Sequence, residues 1–178
     1  MSMAAASIAT RRLEHEDQVP ESTSTGPLPG FIALPARGGF TERNGPWFEK
    51  VDADGKVLRG LRILPRHLNA LGIVHGGLLT AFLDAAMGAA AWRASGRRCV
   101  TLSLTVEFLS HGRPGDWIEA EASCAGFDSQ VAHVSGHLYG RRHSIMTGQG
   151  LFALLRPGRA LQALPSDPDV SDTETPQD

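Results

Sequence analysis

The chain is poor in cysteine and carries no excess of positive charge. Its 178 residues contain two cysteines, Cys99 and Cys124, too few for a disulfide scaffold and not spaced like metal ligands. We interpret both as free thiols in a reducing compartment and therefore expect a cytoplasmic protein. The formal net charge is −2, whereas nucleic-acid-binding proteins are usually strongly basic. No nucleic acid partner is therefore expected.

Long apolar runs are also missing. No stretch reaches the roughly 18 consecutive apolar residues of a membrane-spanning helix, because the most apolar segment is interrupted by Asp84 and flanked by glycines. We therefore expect no membrane partner. Lysine is scarce as well, since only Lys50 and Lys56 occur among 17 basic residues. The arginines that take its place suit phosphate recognition, although a genome-wide composition bias would explain them equally well.

The length is that of one domain with polar ends. Residues 1–30 carry serine, threonine, proline and acidic residues with few large apolar side chains, a composition that predicts disorder. Residues 158–178 form an acidic tail, which we also expect to be disordered. The folded domain is therefore predicted to span residues 31–157.

The stretch from His67 to Trp92 organises the rest of the chain. A His-Gly-Gly turn at residues 75–77 leads into a long apolar helix, predicted to end near Ser95, which contains one carboxylate, Asp84. A helix that is apolar on every side is buried, and a buried carboxylate is costly unless it is paired, hydrogen-bonded or protonated. Asp84 is therefore a candidate functional group, although a structural hydrogen bond to nearby backbone would account for it as well.

Glycines at the start of this helix leave bare backbone N–H donors at the positive end of the helix dipole. Such donors suit a carbonyl oxygen that becomes negative during a reaction. Gly77 and Asp84 are seven residues apart, so they lie near one face of the helix but about 10 Å apart along it. One small group cannot touch both. Either an extended substrate runs between them, or two copies of the helix share one site.

Strand patterns lie on both sides of the helix. Two strands joined by a turn precede it and four follow, of which residues 100–109 alternate most regularly between an apolar face, expected in the core, and a polar face. The predicted strands cover residues 47–51, 56–64, 100–109, 117–125, 131–139 and 144–155. Gly136, Gly148 and Gly150 lie inside the last two, where glycine marks bends or the close approach of another element. The pattern predicts an α+β fold in which an antiparallel sheet wraps around the helix.

A motif runs through the centre of the chain in the form H-x-N-x-x-G-x-x-H-G-G, with an aspartate seven residues after the last glycine. Its residues are His67, Asn69, Gly72, His75, Gly76, Gly77 and Asp84. This motif resembles that of the hotdog-fold acyl-CoA thioesterases of the phenylacetate-pathway (PaaI-like) type, the group of thioesterase superfamily member 2. The resemblance extends from about Trp47 to Arg156. It implies the hotdog fold, an antiparallel sheet wrapped around one long central helix, and says little about the acyl group.

The resemblance also implies roles for individual residues. In the resembled family, the residues matching Asn69 and Gly76 hold the thioester carbonyl, and the residue at Thr101 orients the attacking water. Asp84 would reach in from the partner subunit as general base or, as a weaker alternative, as nucleophile. Taken alone, Asn69 would be a turn former and Thr101 an ordinary strand residue. The implied assembly is a homodimer with a shared site, and the sequence does not decide whether dimers pair into a homotetramer.

Further residues border the predicted substrate site. We interpret His75 and His67 as histidines hydrogen-bonded within the loop, beside Gly77 and next to the substrate, although His75 could also act as a base. Contacts with the phosphates of coenzyme A are assigned to two pairs of arginines. These are Arg97 and Arg98 after the helix, and Arg141 and Arg142 in the last hairpin turn.

Two other kinds of site are not expected. His133 and His137 share a strand face but lie roughly 13 Å apart, so one metal ion cannot bridge them, and no metal is predicted. Ser103 and Ser110 lack the Gly-x-Ser-x-Gly elbow of a serine hydrolase.

The sequence therefore predicts an acyl-CoA thioesterase that releases a carboxylic acid and free coenzyme A without a metal or organic cofactor. The main alternative is a non-catalytic module that binds acyl-CoA, which would be expected to have lost Asp84, Asn69 or a glycine. A hydratase acting on acyl-CoA or acyl-carrier protein is a weaker alternative, because such enzymes pair an acid with a histidine and here the histidine lies in the turn instead. The acyl group and the pathway are not predicted.

Overall fold

The computed structural model describes residues 26–53, 55–141 and 143–156. The predictions for residues 1–25 and 157–178, and for Arg142, lie outside these ranges. The described residues form two α-helices and seven β-strands, with a short 3-10 helix at Pro65–His67. In chain order they are β1 (Ile32–Ala33), α1 (Gly39–Asn44), β2 (Trp47–Val51), β3 (Val57–Arg62), α2 (Gly76–Ser95), β4 (Cys99–Phe108), β5 (Trp117–Phe127), β6 (Val131–Tyr139) and β7 (Ser144–Leu154).

The strands of the described region form one antiparallel sheet in the order β1-β2-β3-β5-β6-β7-β4. The hairpin of β2 and β3 pairs Trp47 with Leu61 and Val51 with Val57. α2 packs against β4, β5, β6 and β7. The helix is thus wrapped by the longer strands, and the predicted α+β hotdog architecture is confirmed.

One face of α2 is buried against this sheet. The largest buried side chains on that face are Leu79, Phe82, Leu83 and Met87. Strand glycines lie opposite them. A Cβ at Gly136 would come within 2.7 Å of Leu83 Cδ1, one at Gly148 within 2.9 Å of Leu83 Cδ2, and one at Gly150 within 3.1 Å of Met87 Cε. The prediction that these glycines mark close approach of another element is therefore confirmed.

The opposite face of α2 is open, which corrects the expectation of a helix buried on every side. Asp84, Ala85 and Gly88 are only partly buried, and Trp92 is 53% exposed. The sequence could not show this, because alanine and glycine suit a covered face and an open one equally well. Asp84 is consequently partly exposed and not enclosed in the core.

The expectation that one face of β4 is core holds for part of the strand. Leu104 and Val106 pack on the core, whereas Val100, Leu102 and Phe108 are exposed. Two features explain the difference: β4 is the last strand of the sheet, and its register shifts between Thr101 and Ser103. Such a shift interrupts the strict alternation of faces.

The segment before β2 closes the other edge of the sheet. Phe31, Phe48 and Trp117 form a second small cluster of buried side chains, so the segment beginning at Phe31 packs on the domain edge. Ahead of it, the Gly26 carbonyl accepts a hydrogen bond from Arg62 Nη2 at 3.1 Å. These contacts fix the chain that leads to one wall of the cleft described below.

Candidate active site

The first turn of α2 leaves one backbone donor unused. His75 is the N-cap, and its Nδ1 accepts from the Gly77 N–H at 2.9 Å. The N–H groups of Leu78 and Leu79 donate to the His75 carbonyl. Among the described residues, no hydrogen bond engages the Gly76 N–H, which therefore points a free donor out of the positive end of the helix. His75 fixes the turn, as expected, and it occupies the N–H of Gly77 in doing so.

Asn69 is held in the loop ahead of this helix. Its Oδ1 accepts from the Leu71 N–H at 2.9 Å, and its own N–H donates to the Ile73 carbonyl at 2.8 Å. The side chain thus forms the turn that its residue type favours. With the oxygen engaged, the amide is oriented, and among the described residues its Nδ2 donates to no acceptor. A turn-forming role and a carbonyl-binding role are therefore compatible.

His67 lies beneath the loop and is 2% exposed. Its Nδ1 accepts from the Leu64 N–H at 3.2 Å, and its carbonyl accepts from the His75 N–H at 2.9 Å. Burial, assisted by the charge of Arg66, lowers the pKa of His67. The residue is thus a neutral histidine that braces the loop, and its predicted place beside the substrate stays a prediction.

Asp84 and Thr101 meet between α2 and β4. Thr101 Oγ1 donates to Asp84 Oδ1 at 2.7 Å. Cys99 lies on the same side: its Sγ donates to the Gly88 carbonyl at 3.4 Å, and burial together with the charge of Asp84 raises the pKa of its thiol. The structure therefore brings together two of the four residues predicted to be catalytic, and it fixes one oxygen of the carboxylate.

The carbonyl-binding end and the carboxylate end are separate within one chain. Gly76 and Asp84 are eight residues apart in a continuous helix, which places them about 12 Å apart along its axis. Phe108, at the end of β4, lies over Gly76, where an added Cβ would come within 3.2 Å of its ring. Thr101 lies near the other end of the same strand. One copy of the chain therefore carries both the carbonyl-binding end and the carboxylate end of a site, but the two ends are too far apart to act on the same atom.

The predicted phosphate-binding arginines lie in different settings. Arg97 donates to the carbonyls of Leu155, Ser129 and Leu154, so its guanidinium already ties strand ends together and a phosphate would have to compete with these bonds. Arg98 and Arg141 are exposed.

The sequence did not indicate a cleft of about 820 Å³ that runs along the open face of α2. Its walls include Leu34, Trp47, Ala85, Trp92 and Cys99. Ala85 is the residue after Asp84, and burial and the charge of Asp84 act on the Cys99 thiol, so the cleft lies close to Asp84, which is not itself part of its lining. Arg59 and Glu49 also line it. The proximity of these two residues could have been predicted, because the hairpin expected from the sequence puts their opposite charges on neighbouring strands, where Glu49 pairs with Arg59.

Comparison with known proteins assigns the class. The sequence model of the Thioesterase superfamily matches residues 71–143, which include Gly76, Asp84 and Thr101. A curated relative is 31% identical over 127 residues, covering 70% of this chain and 95% of its own length. The chain therefore belongs to the thioesterase superfamily, among hydrolases of the thioester or ester type. That relative is the Pseudomonas aeruginosa protein PA0474, named provisionally as an esterase.

Solved structures agree with this assignment. The Bacillus halodurans protein BH2602, solved with coenzyme A, is 31% identical with a TM-score of 0.57, covering 61% of this chain and 73% of its own. PaaI of Escherichia coli, from the phenylacetic acid degradation operon, has a TM-score of 0.53 at 21% identity, covering 56% and 72%. At that identity the second likeness supports the fold alone. The resemblance to PaaI-like thioesterases seen in the sequence is thus confirmed.

None of the helices in the described ranges has the length and apolar character that a membrane span requires. No group of three or more histidine, cysteine, aspartate or glutamate side chains in those residues could hold a metal ion.

Proposed function

We propose that the protein is an acyl-CoA thioesterase that hydrolyses a thioester to a carboxylic acid and free coenzyme A. The observation that carries the proposal is the hydrogen bond from Thr101 to Asp84, which orients a partly exposed carboxylate next to Ala85, a residue of the cleft wall. Membership of the thioesterase superfamily supports it. Coenzyme A in the BH2602 structure, at 31% identity, supports acyl-CoA as the substrate class.

Each residue has a distinct part in the proposed reaction. The Gly76 N–H and the Asn69 Nδ2 donate to the thioester carbonyl and stabilise the negative charge that develops on it. Asp84 takes a proton from water while the water oxygen bonds to the acyl carbon. The carbon–sulfur bond then breaks, and the proton passes to the departing thiolate. Thr101 donates to one carboxylate oxygen and orients the water through its lone pairs. These steps require no metal or organic cofactor.

Two copies of the chain would complete the site. β4 is the last strand of the sheet and exposes Val100, Leu102 and Phe108, and an apolar strand with an unpaired edge is a ready surface for association. Antiparallel pairing of two β4 strands about their middle would bring the Phe108 end of one toward the Thr101 end of the other. Gly76 lies under Phe108 and Asp84 binds Thr101. In such a homodimer, the carbonyl-binding donors of one subunit would approach the catalytic base of the other. A homotetramer could be built from two of these dimers.

The test is thiol release from phenylacetyl-, benzoyl-, hexanoyl- and palmitoyl-CoA by wild type and by Asp84→Asn. We expect wild type to cleave at least one thioester and Asp84→Asn to lose roughly 100-fold or more in kcat, as for a general base. Glu121→Gln is the matched control, because it removes a carboxylate from an exposed ion pair with Lys56, and such pairs contribute little.

Two outcomes contradict this proposal. Wild type that binds acyl-CoA and releases no thiol would indicate a binding module. An Asp84→Asn variant that retains full activity would remove Asp84 from the mechanism while leaving the enzyme class intact. Comparing the thermal unfolding of Asp84→Asn and wild type shows whether misfolding, and not the lost carboxylate, explains a loss of activity.

A further inference from the structure

The cleft along α2 carries an excess of positive charge. Its walls are largely apolar, but four arginines line it against a single carboxylate, that of Glu49. These arginines are Arg37, Arg59, Arg93 and Arg98. A neutral acyl chain would gain nothing from such a cluster. The cluster instead suits a ligand that is apolar along its body and anionic at one end.

Arg59 is the most enclosed member of the cluster that forms an ion pair, with its side chain 17% exposed against 34% for Arg93. Its Nε lies 3.5 Å from Glu49 Oε2, an oxygen that Arg93 Nη2 already approaches at 2.6 Å. That Nε is buried and has no hydrogen-bond partner among the described residues. Burial lowers the pKa of Arg59, and Glu49 only partly offsets it. A guanidinium with five donors therefore has capacity for a second carboxylate.

The position of Arg59 relative to the proposed catalytic base sets the size of the ligand. Arg59 Nη1 donates to the Ala85 carbonyl at 3.3 Å, and Ala85 is the residue after Asp84. Ala85, Gly88 and Ala89 present small side chains or none to the cleft, so they leave room along the helix. Arg59 is thus hydrogen-bonded to the residue next to Asp84, and we expect an acyl group of only a few carbon atoms to reach from the carboxylate to the guanidinium.

We propose, on the basis of the proposed thioesterase function, that this cleft receives the acyl group and selects one that ends in a carboxylate. The reacting carbonyl lies at Asp84, the carbon chain follows the apolar wall, and the terminal carboxylate binds Arg59 and Arg93. The substrate class is an ω-carboxyacyl-CoA, the mono-thioester of a short dicarboxylic acid. Coenzyme A phosphates are the other anions that could meet arginines here, but they carry a nucleotide that needs open surface, which the enclosed Arg59 does not offer.

The experiment compares kcat/KM for glutaryl-CoA and pentanoyl-CoA, which have five-carbon acyl groups and differ in the terminal carboxylate. We expect wild type to prefer glutaryl-CoA by about 10-fold or more, equivalent to about 1.4 kcal/mol. Arg59→Met should bring that ratio close to one. Glu49→Gln should raise it, because it removes the carboxylate that competes for Arg59 and Arg93, and a merely damaged protein would not show a rise. Arg113→Gln, outside the cleft lining, should leave the ratio unchanged.

The possible failures are distinguishable. Hydrolysis of both thioesters without preference overturns the substrate class and leaves the thioesterase function standing. If neither these two nor any of the four acyl-CoAs named above is hydrolysed, the thioesterase function fails. Calorimetric titration of glutaryl-CoA and pentanoyl-CoA into Asp84→Asn then decides the role of the cleft separately, because equal affinities would overturn the proposed selection. If Arg59→Met weakens free coenzyme A and both acyl-CoAs by the same factor, the arginine binds phosphate, which also overturns the proposal.

Discussion

The two faces of α2 differ in the size of their side chains and in their roles. One face presents Leu79, Phe82, Leu83 and Met87 to the sheet, where none of them is more than 2% exposed. The other presents Ala85, Gly88 and Trp92 to a cleft and carries the partly exposed Asp84, and Trp92 is 53% exposed. The difference arises from what lies opposite the helix. Glycine-bearing strands allow close contact on one side, and among residues 26–53, 55–141 and 143–156 no helix or strand covers the other.

This contrast separates residues that stabilise the fold from residues that carry the chemistry. The buried face is fixed by steric fit, so changes there should alter the free energy of unfolding. The open face carries Asp84, which accepts a hydrogen bond from Thr101 of β4, and it borders the cleft. Changes there should therefore alter turnover. Three predictions test the separation, in order of decreasing effect.

The largest effect is expected from two glycines, Gly136 on β6 opposite the buried face of α2 and Gly88 on the open face of the helix itself. Gly136→Ala should destabilise by roughly 1–3 kcal/mol, the cost of overpacking a core, because the new Cβ would come within 2.7 Å of Leu83 Cδ1. Gly88→Ala should instead stabilise by about 0.5–1 kcal/mol, since alanine suits a helix interior better than glycine. Its Cβ would meet Phe152 at an ordinary 3.6 Å. Urea unfolding measures both, and equal shifts of the same sign would remove the distinction between the faces.

A smaller effect is expected from the hydroxyl that binds Asp84. Thr101→Val keeps the shape of the side chain and removes the donor 2.7 Å from Asp84 Oδ1. We expect kcat to fall by about 10-fold, or about 1.4 kcal/mol, with little change in the free energy of unfolding. Thr101→Ser retains the hydroxyl and should stay close to wild type. If valine and serine behave alike in thiol release, the hydroxyl has no part in the reaction.

The smallest effect is a pH dependence of stability at His67. Burial lowers the pKa of this residue in the folded state, so the unfolded chain binds the proton more readily. Its contribution to stability is therefore complete above the unfolded pKa of about 6.5 and is lost as the pH falls below that value. We expect the free energy of unfolding of wild type to fall between pH 7 and pH 5 through this group. His67→Gln should have a shallower slope in that range, and an equal or steeper slope would contradict the assignment.

Much of the fold could be predicted from the spacing of apolar residues and from the glycines and prolines that end helices and strands. α2 ends at Ser95, as predicted, because Gly96 follows in the left-handed conformation with φ of 67°. β6 spans Val131–Tyr139, also as predicted. The short elements before β2 were missed as elements, since β1 has only two residues and carries too little pattern. The exposure of β4 depends on its place at the sheet edge, which is a matter of topology that periodicity does not contain.

The candidate site likewise has a part that could be predicted from the sequence and a part that could not. The motif contains Asn69, Gly76 and Asp84, and the family resemblance implied the role of Thr101. The structure adds what local spacing cannot give: the hydrogen bond between Thr101 and Asp84 and the free Gly76 donor. The cleft was not predicted, because its walls come from segments far apart in the chain, including Leu34, Arg59 and Trp92. Their proximity exists only after the sheet has folded around the helix.

The central claim is that donors of one subunit act with the Asp84 of another, and mixing two inactive variants tests it most directly. Asn69→Ala lacks a carbonyl donor, and Asp84→Asn lacks the base. Unfolding and refolding the two together should yield mixed dimers in which one of the two sites is intact, with about one quarter of wild-type activity at random pairing. Recovery to that level is the result we predict. If each variant alone is inactive and the mixture stays inactive although mixed dimers form, each site lies within one chain, and the shared-site account is wrong.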